Sequence, residues 1–331
     1  MKKKIYISIF TALVLILCTA CGNKALKDDY GCFVNYEDAL SYAGKKKLPM
    51  LIFFTSQGDD ELSTQIAADI FKGSEFSSIL KHYSVFHADF SKEAFSKTAG
   101  DDSTYTTIMQ NNYQLAMLFN VDEMPAVFLT TKDGYVVSRL DTDYEYDALT
   151  MAEFQSILSE SKEDLENFNK LVSATTKGSA VSKVEAIDAL YVATEAEYKI
   201  FLLPLIKKGI ELDKNNESGL AGKLLMAEAE AEALTAYSQG EVDLAIQGYL
   251  KAANSEYVKA EEKQECFYTA AYLAAFGGSE DYQGILSYLQ TAYELAPDSD
   301  KAPAIQEAIS YYKIVLEKIE GYDSQKEVDA K

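Results

Sequence analysis

The chain has 331 residues, 48% of them apolar and 25% charged, with a formal net charge of -21. That length suits two domains, each with its own core, and the composition is that of an ordinary globular chain. The acidic balance excludes nucleic acid as a partner, because phosphate binding needs clustered Lys and Arg, and it favours a self-repelling surface.

The first elements form a leader. Lys2-Lys3-Lys4 is a basic start, and Ile5 to Leu17 is an almost unbroken apolar run too short for a comfortable membrane span. Leu17-Cys18-Thr19-Ala20-Cys21-Gly22 follows, with small residues before a cysteine. This resembles the lipobox of bacterial lipoproteins. The resemblance implies a signal peptide over residues 1–20 and an acylated, palmitate-bearing Cys21 as the new first residue. It also implies a cell-envelope location facing the periplasm or exterior. Cys18 stands where that family usually has Leu, and Leu17 is too large to precede a cleavage before Cys18. An ordinary secretory leader cut nearby is the alternative. Each buried CH2 of an acyl chain contributes ~0.8 kcal/mol, so several chains anchor stably. Residues 21–31 are expected to be a lipid-anchored linker, and loss of Lys2–Lys4 makes the chain three units more negative.

Asn35 is placed to cap a helix over Tyr36–Ala43, with Lys45–Lys47 at its cation-preferring end. Met50–Thr55 is a continuous apolar run, the mark of a strand buried on both faces. A polar turn follows, then a helix with Leu62, Ile66, Ala67 and Ile70 on one face. Ser74–Tyr83 reads as a second helical piece and Val85–Asp89 as a short strand flanked by His82 and His87. Ser91–Ser103 reads as a loop. Thr104 can cap a helix over Tyr105–Phe119. Met124-Pro125 opens a strand at Ala126–Thr130, and Lys132-Asp133-Gly134 signals a hairpin to a strand at Tyr135–Leu140. Thr150 can cap a helix over Met151–Ser159.

The run Phe54-Thr55 through Asp60 and Ser63 to Ile70-Phe71, followed about sixty residues later by Phe119-Asn120-Val121 and Met124-Pro125, resembles the thioredoxin-like family of bacterial secreted proteins. Residues 32–160 are thereby expected to form an α/β thioredoxin-like domain, a central mixed sheet flanked by helices, with Met124-Pro125 cis. In register with the family pattern, the two active-site cysteines fall on Asp60 and Ser63. No catalytic residue is then expected, because only a thiolate attacks a disulfide. Asp60 can cap the helix, and Asp59 and Glu61 add charge that the helix dipole favours. The second reading of this turn is a binding surface made by Asp59, Asp60, Glu61, Met124 and Pro125. With Asp122 and Glu123, mutual repulsion of five carboxylates would favour a basic partner or a cation.

From Ser161 the strand signals stop. Long Ala-, Leu- and Tyr-rich segments at helical spacing predict helices over 162–174, 183–194, 195–212, 218–237, 242–253, 258–275, 281–295 and 302–319, with Pro204 kinking or restarting the third. Ala245-Ile246-Gln247-Gly248-Tyr249-Leu250 aligns with Gly284-Ile285-Leu286-Ser287-Tyr288-Leu289, and Ala292-Tyr293-Glu294-Leu295-Ala296-Pro297 resembles the helix end of a tetratricopeptide repeat. An all-α, tetratricopeptide-like repeat domain over 161–321 is the expectation, with a disordered tail at 322–331. A plain helical bundle fits the same residues.

Cys32 and Cys266 stand alone, with neither CxxC nor metal-ligand spacing, and no carboxylate cluster accompanies the two histidines. No metal or cofactor is expected. These features point to a redox-inactive envelope lipoprotein that binds or scaffolds envelope proteins or peptides. The competing reading is a thiol-disulfide oxidoreductase acting through Cys32 or Cys266 alone, which lacks a resolving partner.

Overall fold

Asn35 Oδ1 accepts the Asp38 N–H at 3.0 Å and opens α1 (Tyr36–Lys46), whose last turn carries Lys45 and Lys46. The computed structural model describes residues 25–98, 103–140, 149–238 and 240–329. The leader, Cys18 and Cys21 lie outside the described residues. After α1 comes β1 (Met50–Thr55), buried along its whole length. Its period of two sends Leu51 and Phe53 into one core and Met50, Ile52 and Phe54 into the other.

β2 (Ser84–Asp89) pairs parallel with β1, while β3 (Ala126–Thr130) pairs antiparallel on its other side. β4 (Val136–Leu140) adds antiparallel to β3, giving the order β2-β1-β3-β4. Parallel neighbours need a crossover. Here it is α2 (Glu61–Gln65), continuing as a π-helical turn over Ile66–Phe71, and then α3 (Phe76–His82). The β3–β4 hairpin turns at Gly134, whose φ of 83° suits a residue without a Cβ. The Met124-Pro125 bond is cis. Sheet, flanking helices and cis proline make up the expected thioredoxin-like arrangement.

The sequence reading is corrected at three places here. The stretch expected as a loop contains α4 (Lys92–Thr98), which starts where Ser91 Oγ accepts the Ala94 N–H at 3.2 Å. His87 lies inside β2 and is buried, because its ring is paired with a carboxylate, Asp28. The linker expectation fails from Ala25 onward. Lys27 and Phe33 form a bridge, and the Phe33 N–H donates to the Val85 carbonyl at 2.8 Å, so this segment is part of the fold.

α5 (Ser103–Leu118) turns Ile108, Asn112 and Ala116 inward. α6 (Met151–Glu160) begins with a reciprocal cap between Thr150 and Glu153. It packs Met151, Phe154 and Leu158 on the face opposite α1.

All remaining elements are helical. They are α7 (Lys162–Ala174), α8 (Ala180–Ala193), a 3-10 segment (Ala196–Leu202), α9 (Leu203–Leu212), α10 (Ala221–Ser238), α11 (Val242–Ala253), α12 (Ala260–Phe276), α13 (Tyr282–Leu295) and α14 (Ala302–Asp329). Pro204 sits in the first turn of α9, where its missing N–H costs nothing. From α10 to α14 each helix packs chiefly on the next, the pattern of a stacked helical region. The aligned hexapeptides occupy matching places on α11 and α13, with Ile246 and Ile285 both buried. At Gly222 a Cβ would overlap the Tyr257 carbonyl, so α10 approaches the α11–α12 connection at backbone contact. Gln264 is buried and ties α12 to the end of α13, donating to the carbonyls of Ala292 at 3.0 Å and Ala296 at 2.8 Å. The last helix runs to Asp329 rather than stopping at Ile319, through residues that contain no proline.

The two parts of the chain share a core. Tyr198 of the 3-10 segment is buried against the sheet, its ring edge-on to Phe128 at 5.8 Å, and Phe201 meets Phe119 at 4.5 Å. Tyr135 and Val137, at the hairpin and on β4, pack against the cluster of Phe168, Val184 and Leu202.

Candidate functional site

The turn between β1 and α2 contains the positions that the sequence resemblance aligns with a dithiol, and its polar groups are hydrogen-bonded. Asp60 Oδ2 accepts the Ser63 N–H at 2.6 Å, so Asp60 is the helix cap. Ser63 is fully buried, and its Oγ accepts the Ser56 N–H at 3.0 Å. The Gln57 N–H donates to Asp89 Oδ1 at 3.0 Å and the Gly58 N–H to Thr64 Oγ1 at 2.8 Å. The N–H groups of Asp59 and Asp60 donate to the Ser56 carbonyl at 3.2 and 2.9 Å. A thioredoxin site leaves such donors to a thiolate. Here acceptors of the turn, of α2 and of β2 already hold them, and neither Asp60 nor Ser63 can attack sulfur.

Three of the five carboxylates, Asp59, Asp60 and Asp122, have separate partners. Asp59 Oδ2 accepts the Lys92 N–H at 2.7 Å, and this backbone bond, before the Lys92 charge, holds its carboxyl below the usual range. Asp122 accepts from Arg139 at 3.1 Å, and that side-chain hydrogen bond holds its carboxyl low as well. Mutual repulsion would have moved both upward. The local bonds therefore outweigh the repulsion anticipated from the sequence. Glu61, Asp122 and Glu123 are exposed. Met124 packs partly into the core beside α5, and Pro125 is buried at the start of β3. Among the described residues, no group of three or more His, Cys, Asp or Glu is placed to hold a metal ion.

Beneath the turn lies a network that the sequence did not disclose. His87 Nδ1 is 2.7 Å from Asp28 Oδ2, and His87 Nε2 is 2.8 Å from Thr55 Oγ1. A ring donating from Nδ1 and accepting the Thr55 hydroxyl proton at Nε2 satisfies all three groups. Asp28 Oδ1 also accepts the N–H groups of Tyr30 and Cys32, at 3.0 and 2.8 Å. The Tyr30 hydroxyl donates to Gln57 Oε1 at 3.0 Å and closes the network from above. Hydroxyl, imidazole and carboxylate stand in the order that activates a nucleophile. Thr55 is fully buried and His87 only 4% exposed, so solvent does not reach the hydroxyl and the trio is a clamp. The one sequence signal was a histidine alternating into an apolar strand; its partner lies 59 residues away.

Both described cysteines are free and buried. Burial pushes the Cys32 thiol well up, with Asp28 adding to it. Burial first, then Glu265 and Glu262, pushes the Cys266 thiol up to about 11. Cys266 Sγ lies 3.3 Å from Met226 Sδ in the helical region, away from Cys32 in the sheet domain.

Comparison with known proteins adds the following. A family model described as "Uncharacterised protein C-terminal domain" matches residues 220–318, the stack from α10 into α14. An uncharacterized protein of Treponema pallidum (strain Nichols) is 24% identical over 220 residues, spanning 65% of this chain and 72% of its own. A solved structure named DsbH oxidoreductase is similar over 44% of this chain and 95% of its own, at 17% identity and a TM-score of 0.32.

Proposed function

We propose that this chain is a lipid-anchored envelope protein whose thioredoxin-like domain performs no disulfide exchange and serves, with the helical region, to bind envelope proteins or peptides. The observation that carries the non-catalytic reading is the turn itself. Asp60 caps α2 through the Ser63 N–H, and Ser63 is buried beneath the turn, at the two positions a dithiol requires. The buried, high-pKa thiols of Cys32 and Cys266 weigh against a single-cysteine oxidoreductase, since a protonated thiol is a poor nucleophile. The anchor rests on the sequence from Leu17 to Cys21. Binding is supported by the exposed Asp122–Glu123 loop before the cis proline and by the stacked helices, whose geometry presents extended surfaces.

Crosslinking in intact envelopes, with mass spectrometry of both the crosslinked partners and the processed N-terminus, tests this reading. The expected result is an acylated Cys21 and a reproducible partner set that survives Cys32→Ala and Cys266→Ala. An unmodified N-terminus, or partners held only through mixed disulfides, contradicts it.

A further inference from the structure

The sheet domain carries opposite charge at the two ends of its strands. Asp59, Asp60, Glu61, Asp89, Asp122 and Glu123 stand where β1 and β2 end and β3 begins. At the other end Met50 pairs with Ser84 and with Thr130. α1 finishes here with Lys45, Lys46 and its cap Lys47, and α3 finishes here with Lys81 and His82. The Ser84 N–H donates to the Pro49 carbonyl at 2.9 Å, joining the residues that follow the two helices. All five side chains are exposed, and among the described residues Lys45, Lys46, Lys47 and Lys81 have no ion-pair partner. Lys132 of the adjoining β3–β4 turn is paired with Asp133 and adds no net charge. A helix dipole accounts for cations at each helix end taken singly. It does not account for two such ends being brought together in a chain of net charge -21.

The expected anchor lies within reach of this basic end. Gly22, Asn23 and Lys24 separate Cys21 from Ala25, which packs on the core cluster that holds Ala39 and Ala43 of α1. An extended chain spans 3.3–3.6 Å per residue, so Cys21 reaches no farther than about 14 Å from Ala25. Lys27 Nζ is 4.2 Å from the centre of the Phe33 ring and 5.9 Å from that of Tyr42. Tyr42 stands one turn before Lys45 and Lys46 on α1.

We propose that the end of the sheet domain bearing Lys45, Lys46, Lys47 and Lys81 rests on the anionic phospholipid headgroups of the membrane that holds the acyl group. The proposal rests on the anchored reading given above and adds an orientation to it. Lysine ammonium groups attract headgroup phosphates. Charges more than about 10 Å apart are largely screened at 0.1 M salt, so the lysines nearest the surface decide the sign although the whole chain is negative. The contact turns the Asp59–Glu61 turn and the cis-proline loop away from the bilayer, toward partners.

The test mixes the purified full chain with vesicles of phosphatidylcholine alone or of equal parts phosphatidylcholine and phosphatidylglycerol. Sedimentation reads binding, and an amine-reactive reagent with mass spectrometry reads the exposure of each lysine. The expected result is binding to both vesicles, with labelling of Lys45, Lys46, Lys47 and Lys81 slowed about fivefold or more where phosphatidylglycerol is present and restored by high salt. The variant Lys45→Gln/Lys46→Gln/Lys47→Gln, altered only at exposed sites, should keep its melting temperature and lose the protection of Lys81. Binding to both vesicles with equal labelling overturns the proposal and leaves the anchor standing. Salt-sensitive binding to the phosphatidylglycerol vesicles alone sustains the basic contact and removes the anchor. Binding to neither overturns both, and protection of Lys81 that persists in the triple variant overturns the assignment to these lysines.

Discussion

His87 Nδ1 and Asp28 Oδ2 lie 2.7 Å apart, joining a residue in the middle of β2 to a segment that precedes α1. Asp28→Ala leaves the His87 ring and the N–H groups of Tyr30 and Cys32 without their acceptor. An unpaired buried polar group costs about 1–3 kcal/mol. Urea unfolding of Asp28→Ala should show a lowered midpoint, and amide exchange should accelerate first at Tyr30 and Cys32. An unchanged midpoint and unchanged exchange contradict the clamp.

Much of the sheet was legible because its signals are local. Met50–Thr55 and Ala126–Thr130 are uninterrupted apolar runs, and the boundaries of both strands match the sequence reading. Pro204 marked the restart of α9 for the same local reason. α4 was missed because its cap, Ser91, reads equally well as a loop residue and Phe95 is its one large apolar group. The clamp beneath the turn was illegible because Asp28, Thr55 and His87 are brought together only by sheet pairing. Asp60 could be read from the sequence as a helix cap, but the bonds that close the turn depend on Asp89 and Lys92, residues of distant elements.

The shared core between sheet and helices makes a second prediction. Tyr198 is 6% exposed and lies against Phe128. Replacing a buried large aromatic with Ala costs about 3–5 kcal/mol. Tyr198→Ala should lower the unfolding midpoint of the thioredoxin-like domain as well as that of the helices. Loss confined to the helical transition would show that the two parts are not coupled.

The thiols give a pH prediction with a definite sign. The Cys266 value is raised from 9.0 to about 11 in the folded state. The folded chain then holds its proton more tightly than the unfolded chain. Stability from this group is complete below about pH 9 and is lost as pH rises toward about 11. Cys266→Ala should flatten the decline in stability over that window. Ellman's reagent at pH 8 should leave Cys32 and Cys266 unmodified until the protein is unfolded. Rapid modification of the native protein contradicts their burial.

The Asp122–Arg139 pair acts on the acid side. The folded-state pKa of Asp122 is depressed by the Arg139 hydrogen bond, so its contribution is present above the ordinary carboxylate range and is lost as pH falls through the folded value. Arg139→Ala should return the Asp122 carboxyl upward in an NMR titration, while Asp59, bonded to Lys92, stays low. Equal upward movement of both carboxyls would mean that the two acidic groups feel each other after all.

Insulin reduction by dithiothreitol measures directly whether this thioredoxin-like frame carries disulfide chemistry. Wild type and a Cys32→Ala/Cys266→Ala double variant, each lacking the leader and Cys21, should show the same rate as dithiothreitol alone. Turnover by wild type that disappears in the double variant would contradict the account and return the oxidoreductase reading to first place.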